Sequence, residues 1–185
     1  MSTEATAAAV VWKLTEHDKA GNIVSEREMM NLITNSGRTQ FFRNMFALSA
    51  SGGFVALGVG ASTTAATVGD TRLTYELIGN PARKPLTNTS GAAMSASDIV
   101  TATTTMVLNV TSTATFYENI SCQAVFNSGD LNNGNQFGEY GLFTTATLPG
   151  TPTSTSGTMY NHLVDPNPIF KSAANPITAV VTVYY

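Results

Sequence analysis

From Phe54 onward, apolar and polar side chains alternate with a period of two, and this constrains the fold more than any other feature. Such a period sends successive side chains to opposite faces of an extended chain, so it specifies strands with one face to bury. Phe54 to Val59 reads as a short apolar strand. "TRLTYELI" sets Leu73, Tyr75 and Leu77 on one face, with Arg72, Thr74 and Glu76 on the other. "IVTATTTMVLNVTSTATFYE", Ile99 to Glu118, is dense in Thr and Val, whose branched side chains suit a pleated surface; it is one long bent strand or two consecutive ones. Further strands are expected at Ser121 to Phe126, Gln136 to Thr147, Gly157 to Val164 and Ile177 to Tyr185. The last, "ITAVVTVYY", is apolar on both faces, which predicts a place inside an assembly.

Ahead of this region, "HDKAGN" puts turn-forming residues between two β-prone segments, Ala8 to Glu16 and Asn22 to Met29, and predicts an N-terminal β-hairpin. Between hairpin and strands, Asn35 or Ser36 can cap a helix that carries Phe41, Phe42, Met45, Phe46 and Leu48 at helical spacing and stops at Ser49 to Gly53. One α-helix over residues 36–48, with its Phe and Met stripe docked on a sheet, is expected. One helix with roughly eight to ten strands makes a mainly β chain, a two-sheet β-sandwich of jelly-roll-like winding. Residues 1–30 are expected to form a hairpin arm and residues 31–185 the sandwich domain.

Composition narrows the partners. Charged residues make up 11% of the chain, less than half the roughly 25% usual in soluble domains, so much of the surface is expected to be covered by neighbouring subunits. The net charge of −3 offers no basic footprint for nucleic acid, and Arg83-Lys84 near Arg72 reads as a solvated loop edge. No apolar run reaches membrane-spanning length. The start has Glu4 and no basic residue before its short apolar stretch, which argues against a signal peptide; the Asn-x-Ser/Thr triplets at Asn88, Asn109 and Asn119 are then chance in a Ser/Thr-rich chain. The single cysteine, Cys122, excludes an intramolecular disulfide and reads as a buried small residue.

The candidate chemistry is sparse. Gly58-Val59-Gly60 resembles the start of a phosphate loop, but there is no third glycine, no following helix signal and no Lys-Ser/Thr pair. Asp130, Asn132 and Asn133 suggest a calcium loop, yet position six falls on Asn135 and position twelve on Gly141, where Gly and a bidentate Glu are needed. A polar hairpin tip fits better. Only His17 and His162 offer an imidazole, no nucleophile motif accompanies either, and His162 reads as a solvent-facing or hydrogen-bonded structural residue. Glu118 and Glu139 are the carboxylates weighed as a glycosidase pair, and Tyr117, Tyr140 and Tyr160 the aromatics weighed as a sugar-stacking platform. No catalytic, cofactor-binding or metal-ligating residue is assigned, and an enzyme is not expected.

The ordered motifs carry more. "NLITNSGR", "FVALGVG", "GDTRLTYEL", "FGEYGLF" and "PIFK" before a terminal strand resemble, in that order, a family of tailed-bacteriophage virion proteins, over residues from about 31 to 185. The chain departs from the family in its longer stretch between Glu118 and Gln136, and the N-terminal hairpin lies outside the match. The resemblance implies a β-sandwich structural protein without catalytic residues. Its foremost role would be a capsid decoration (cement) protein on the major capsid protein, with a tail, neck or baseplate component as the alternative. A carbohydrate-binding module is the alternative of another class. A homotrimer within the virion is expected, because three-fold positions of an icosahedral shell offer three equivalent docking surfaces. In this reading Gly58 and Gly60 turn the chain after a strand, Asp70 caps the turn into the next strand by accepting backbone hydrogen bonds, and Glu139 sits at the rim of an apolar strand.

Overall fold

The computed structural model describes residues 9–33, 37, 55–79, 83–94, 96–109, 112–131 and 133–184. Nine strands account for most of them: β1 (Ala9–His17), β2 (Ile23–Ile33), β3 (Ala56–Gly60), β4 (Arg83–Pro85), β5 (Ile99–Asn109), β6 (Ser112–Phe126), β7 (Asn133–Phe143), β8 (Met159–Ser172) and β9 (Ile177–Tyr184). All pairings are antiparallel, in the order β4-β3-β7-β8-β2-β1-β9-β6-β5. This order combines four hairpins of sequence neighbours: β1–β2, β3–β4, β5–β6 and β7–β8.

The molecule is a two-sheet β-sandwich because β2 changes partners. Ile23 to Asn31 pair with β1, whereas Leu32 and Ile33 pair with His162 and Asn161 of β8, so one strand passes from the first sheet into the second. On the opposite side the chain after β4 returns to the first sheet, where Thr87 and Gln123 of β6 exchange backbone hydrogen bonds at 3.0 and 2.8 Å. The sandwich is thereby tied along both sides.

Between the sheets, Val10, Trp12 and Leu14 of β1, Cys122, Ala124 and Phe126 of β6 and the alternate residues Ile177, Ala179, Val181 and Val183 of β9 meet Leu57, Val59, Tyr140, Leu142 and Leu163. Trp12 and Tyr140 pack with ring centroids 5.7 Å apart, and Phe126 meets Phe137 edge-on at 5.2 Å. Each large apolar side chain fully buried in this way contributes about 1.5–3 kcal/mol relative to exposure.

The N-terminal hairpin forms as its sequence predicts. Asp18 closes it by accepting the Ala20 and Asn22 amides at 2.8 and 2.9 Å, and Gly21 takes a positive φ of 85° that a side chain would resist. It is not a free arm, however. Over residues 9–30 it is part of the sandwich, with β1 lying between β2 and β9 and Trp12 fully buried. The 99–118 stretch resolves into the two strands of a hairpin, β5 and β6. β9 lies centrally between β1 and β6 and alternates buried with half-buried residues, so its inward face alone is core.

Two expectations fail for physical reasons. Residues 71–78 form no strand, apart from one bridge between Gly60 and Glu76; Glu76 is buried and Tyr75 exposed, the reverse of the alternation reading. The carboxylate of Glu76 turns inward because a buried cation waits for it, as described below. β8 continues past Val164 to Ser172, with "PIFK" inside the strand. Between Val164 and Ile169 it bulges away from β7, where Pro166 and Pro168 have no N–H to pair. The helix expected over 36–48 lies outside the described residues except for Gly37.

Candidate functional site

The outer face of the second sheet is covered by two loops, residues 61–79 and 144–158. Leu73 from the first loop packs with Phe143 and Met159 in a small second core. Beneath these loops sit five of the titratable residues named from the sequence, Asp70, Glu76, Arg83, Glu139 and His162, in two ionic clamps.

The first clamp begins at Glu139 of β7, which is fully buried. Its Oε1 accepts the Tyr75 amide at 2.7 Å and the Ser62 amide at 3.3 Å, and its Oε2 accepts the Thr74 amide at 2.8 Å. The ring of His162, on the neighbouring strand β8 opposite Gly141, adds Nε2 at 2.9 Å from Oε2. On the other side of that ring, Nδ1 lies 2.7 Å from Asp70 Oδ2. Ionised carboxylate oxygens only accept hydrogen bonds, so a ring with both nitrogens facing carboxylates is placed to donate twice, which favours the imidazolium form. Burial disfavours that charged form, but the hydrogen bonds and charges of Glu139 and Asp70 outweigh it and raise the His162 pKa. For Asp70, partial burial raises the pKa, and the Thr67 amide and hydroxyl together with His162 more than offset this and lower it. Asp70 also closes its own turn, accepting the Thr67 amide at 2.8 Å and hydroxyl at 2.7 Å. Asp70 thus accepts a backbone hydrogen bond as expected, but within the turn that ends at it and not in a turn leading into a strand, since no strand follows before Arg83 among the described residues.

The glycines of β3 make room for the clamps. Gly58 and Gly60 lie within the strand and do not turn the chain, a correction to the sequence reading. β3 is buried on both faces, and a β-carbon on Gly60 would stand 2.6 Å from Glu139 Cγ and 2.6 Å from the Tyr75 carbonyl oxygen. Glu139 likewise sits in the covered centre of the sheet and not at a rim.

The second clamp joins Arg83 of β4 to Glu76. The guanidinium meets the carboxylate in a two-point contact, Nε–Oε1 2.6 Å and Nη2–Oε2 2.9 Å, with both side chains buried. Its remaining Nη1 donates to the carbonyls of Thr145, Thr147 and Ser156 at 3.1, 3.0 and 2.9 Å, and the cation lies 3.6 Å from the centroid of the Phe143 ring. A planar fork with five donors suits such a site, and a lysine would not. Arg83 is therefore no solvated loop edge. It fastens both covering loops to the sheet, and the sequence offered no signal beyond a Glu and an Arg seven residues apart.

The other candidates are scattered. Glu118 is exposed on β6 of the first sheet, so it makes no carboxylate pair with Glu139. His17 Nδ1 is 3.3 Å from the Gly21 carbonyl oxygen in the first hairpin turn, far along the chain from either clamp. Asp130 holds the tip after β6 by accepting the Asn127 amide at 2.7 Å and pairs with Lys84 at 2.5 Å; Asn132 lies outside the described residues. Tyr140 and Tyr160 are buried, which leaves Tyr117 alone exposed among the three tyrosines. Cys122 is buried and its thiol is pushed up to about 12 by desolvation, as befits an inert core residue.

Within the clamps the hydrogen-bonding positions are largely taken up by the protein itself. Each ring nitrogen of His162 is already engaged, so the imidazolium has no lone pair to take a proton, and Glu139 is saturated by four donors. Among the described residues no group of three or more His, Cys, Asp or Glu is arranged to hold a metal ion. No family model matches the chain, and no curated protein and no solved structure matches it either.

Proposed function

We propose that this chain is a structural component of a tailed-phage virion, a capsid decoration (cement) protein that binds copies of itself and the major capsid protein. One observation carries the reading. The motifs that resemble phage virion proteins supply the clamp residues: "FVALGVG" holds Gly58 and Gly60, "GDTRLTYEL" holds Asp70 and Glu76, and "FGEYGLF" holds Glu139 and Phe143. On this reading the motifs are kept because they fasten loops to a sheet.

Surface composition supports the same reading. Of twelve acidic and nine basic residues, Glu76, Arg83, Asp130, Glu139, Asp165 and Lys171 are buried, so a sequence already poor in charge has a still poorer surface. Ile23, Val24, Ile99, Val100, Tyr117 and Phe170 are meanwhile exposed. Surfaces of this kind are covered in an assembly.

Mass spectrometry and a stained gel of purified virions test the proposal. A band with a copy number comparable to the major capsid protein is the expected result; a few copies per particle would favour the tail, neck or baseplate reading, and absence from the virion would end both.

A further inference from the structure

The two sides of the sandwich end differently. At β4 the edge is three residues long, carries Lys84, stops at Pro85 and leads into the Thr87–Gln123 bridge. Short length, lysine and proline are the usual guards against edge-to-edge pairing. β5, at the other end, has eleven residues, pairs among the described strands with β6 alone, and carries no lysine or proline, although its register shifts between Thr101 and Thr104 and between Val107 and Asn109.

β5 and β6 also outrun the sheet. β6 pairs with β9 only from Asn119 to Phe126, so its first half, from Ser112 to Glu118, is held by β5 and nothing else among the described strands. From Ile99 to Tyr117 there is no charged residue. In this ribbon Thr101, Ala102, Thr103, Thr105, Thr113, Thr115 and Tyr117 are exposed, and the Thr105 and Thr115 hydroxyls meet across the strands at 3.1 Å. A two-stranded ribbon is marginal alone in water. Between the register shifts at Thr101/Thr104 and Val107/Asn109 the pairing is regular from Thr104 to Val107, so this short stretch of the edge offers backbone donors and acceptors in straight sequence.

We propose that the β5 edge pairs with β5 of a second copy of this chain, antiparallel, across a two-fold axis. An uncharged strand has nothing to select a charged partner and nothing to repel itself, and an antiparallel pair of identical edges is self-complementary by symmetry. A head-to-tail ring would need a second long edge, and β4 is three residues long with Lys84 and Pro85 on it. The paired ribbons form a continuous four-stranded sheet, β6-β5-β5-β6, with its threonines in cross-strand rows. This contact stands independently of any role in a virion.

Full-length protein with single cysteines placed in turn at residues 101 to 106 tests it. Near a two-fold axis a residue of β5 faces its own copy with Cα atoms about 4.5–5.5 Å apart, within reach of a disulfide. Cross-linked dimer is expected at one position or at two on the same face, while the native Cys122 stays unreactive. In parallel, sedimentation of the Thr103→Lys/Thr105→Lys double variant should show association at least tenfold weaker than wild type, with an unchanged circular dichroism spectrum. A monomeric wild type at tens of micromolar, a trimer whose mass the lysines leave alone, or cross-linking equal at all six positions would overturn the proposal. So would an edge covered by residues 38–54 of the same chain, which would give a monomer and no cross-link.

Discussion

Gly60 lies directly under the carboxylate arm of Glu139, so close that a single methyl group on the glycine would overlap Glu139 Cγ at 2.6 Å. A strand glycine and a buried acid thus make one unit. The acid reaches the amides of Ser62, Thr74 and Tyr75 only because β3 presents no side chain there.

Gly60→Ala should therefore be far more damaging than its size suggests. Overpacking alone costs about 1–3 kcal/mol. Displacing Glu139 would also strand buried donors, at about 1–3 kcal/mol for each one left unsatisfied. Gly69→Ala is the control, since its β-carbon would meet nothing nearer than Thr67 Oγ1 at 3.9 Å and the change stiffens the unfolded chain. Urea midpoints followed by the emission of Trp12, the only tryptophan, should fall steeply for the first variant and hold or rise for the second.

Removing one partner of the Arg83–Glu76 clamp leaves a buried charge uncompensated. For Arg83→Ala or Glu76→Ala the expected loss is about 3–5 kcal/mol. Arg83→Lys keeps the charge yet cannot span Glu76 and the three loop carbonyls together, so most of the loss should persist. Limited proteolysis is the sharper readout: cleavage should appear first in 144–158, the loop whose carbonyls Arg83 holds. Intact loops in Arg83→Ala would show that the clamp is dispensable.

The pH dependence has a definite sign. The His162 pKa is raised in the folded protein above its usual 6.5, so its contribution is complete below pH 6.5 and is lost as pH rises through the raised value. Asp70, lowered from 3.8, contributes above that pH and loses its part as pH falls through the lowered value. Stability measured by urea midpoint should decline on the alkaline side of 6.5. His162→Gln should be less stable at pH 6 and show a flatter alkaline limb; an unchanged limb would place the titrating group elsewhere.

How much of this was legible depended on which faces each segment buries. β6 alternates in sequence as it does in the sandwich, and the Asp18–Gly21 turn between two β-prone segments declared β1 and β2, whereas β9 read as apolar on both faces although only its inward face is core. β3 is buried on both faces, and its glycines then looked like turn residues when they were clearance for Glu139. Residues 71–78 alternate in sequence, but backbone bonds to Glu139 and the Glu76–Arg83 pair decide their orientation. Asp70, Glu139 and His162 were each noticed singly. Their meeting was hidden because Asp70 and His162 are 92 residues apart, and no local pattern encodes a contact of that range.

Deletion of residues 1–30 provides the severest test of the architecture. If the hairpin were an appended arm, the remainder would keep its sheet and lose only a tether. In the structure the deletion removes β1 from between β2 and β9, taking Val10, Trp12 and Leu14 out of the core and cutting β2 down to its last residues. β9 would lose its partner from Ala9 to Glu16 and expose a row of backbone groups beside an apolar face. Large-to-small losses in a core run to about 2–5 kcal/mol for each such side chain, and the deletion removes several, against a total stability of about 5–15 kcal/mol for a domain. The truncated chain should be insoluble or lack dispersed amide resonances, whereas Lys13→Ala, on the solvent side of the same strand and paired only with Glu26 at 3.0 Å, should change stability by less than about 1 kcal/mol. A soluble truncated chain with native-like amide dispersion would show that the second sheet folds without β1.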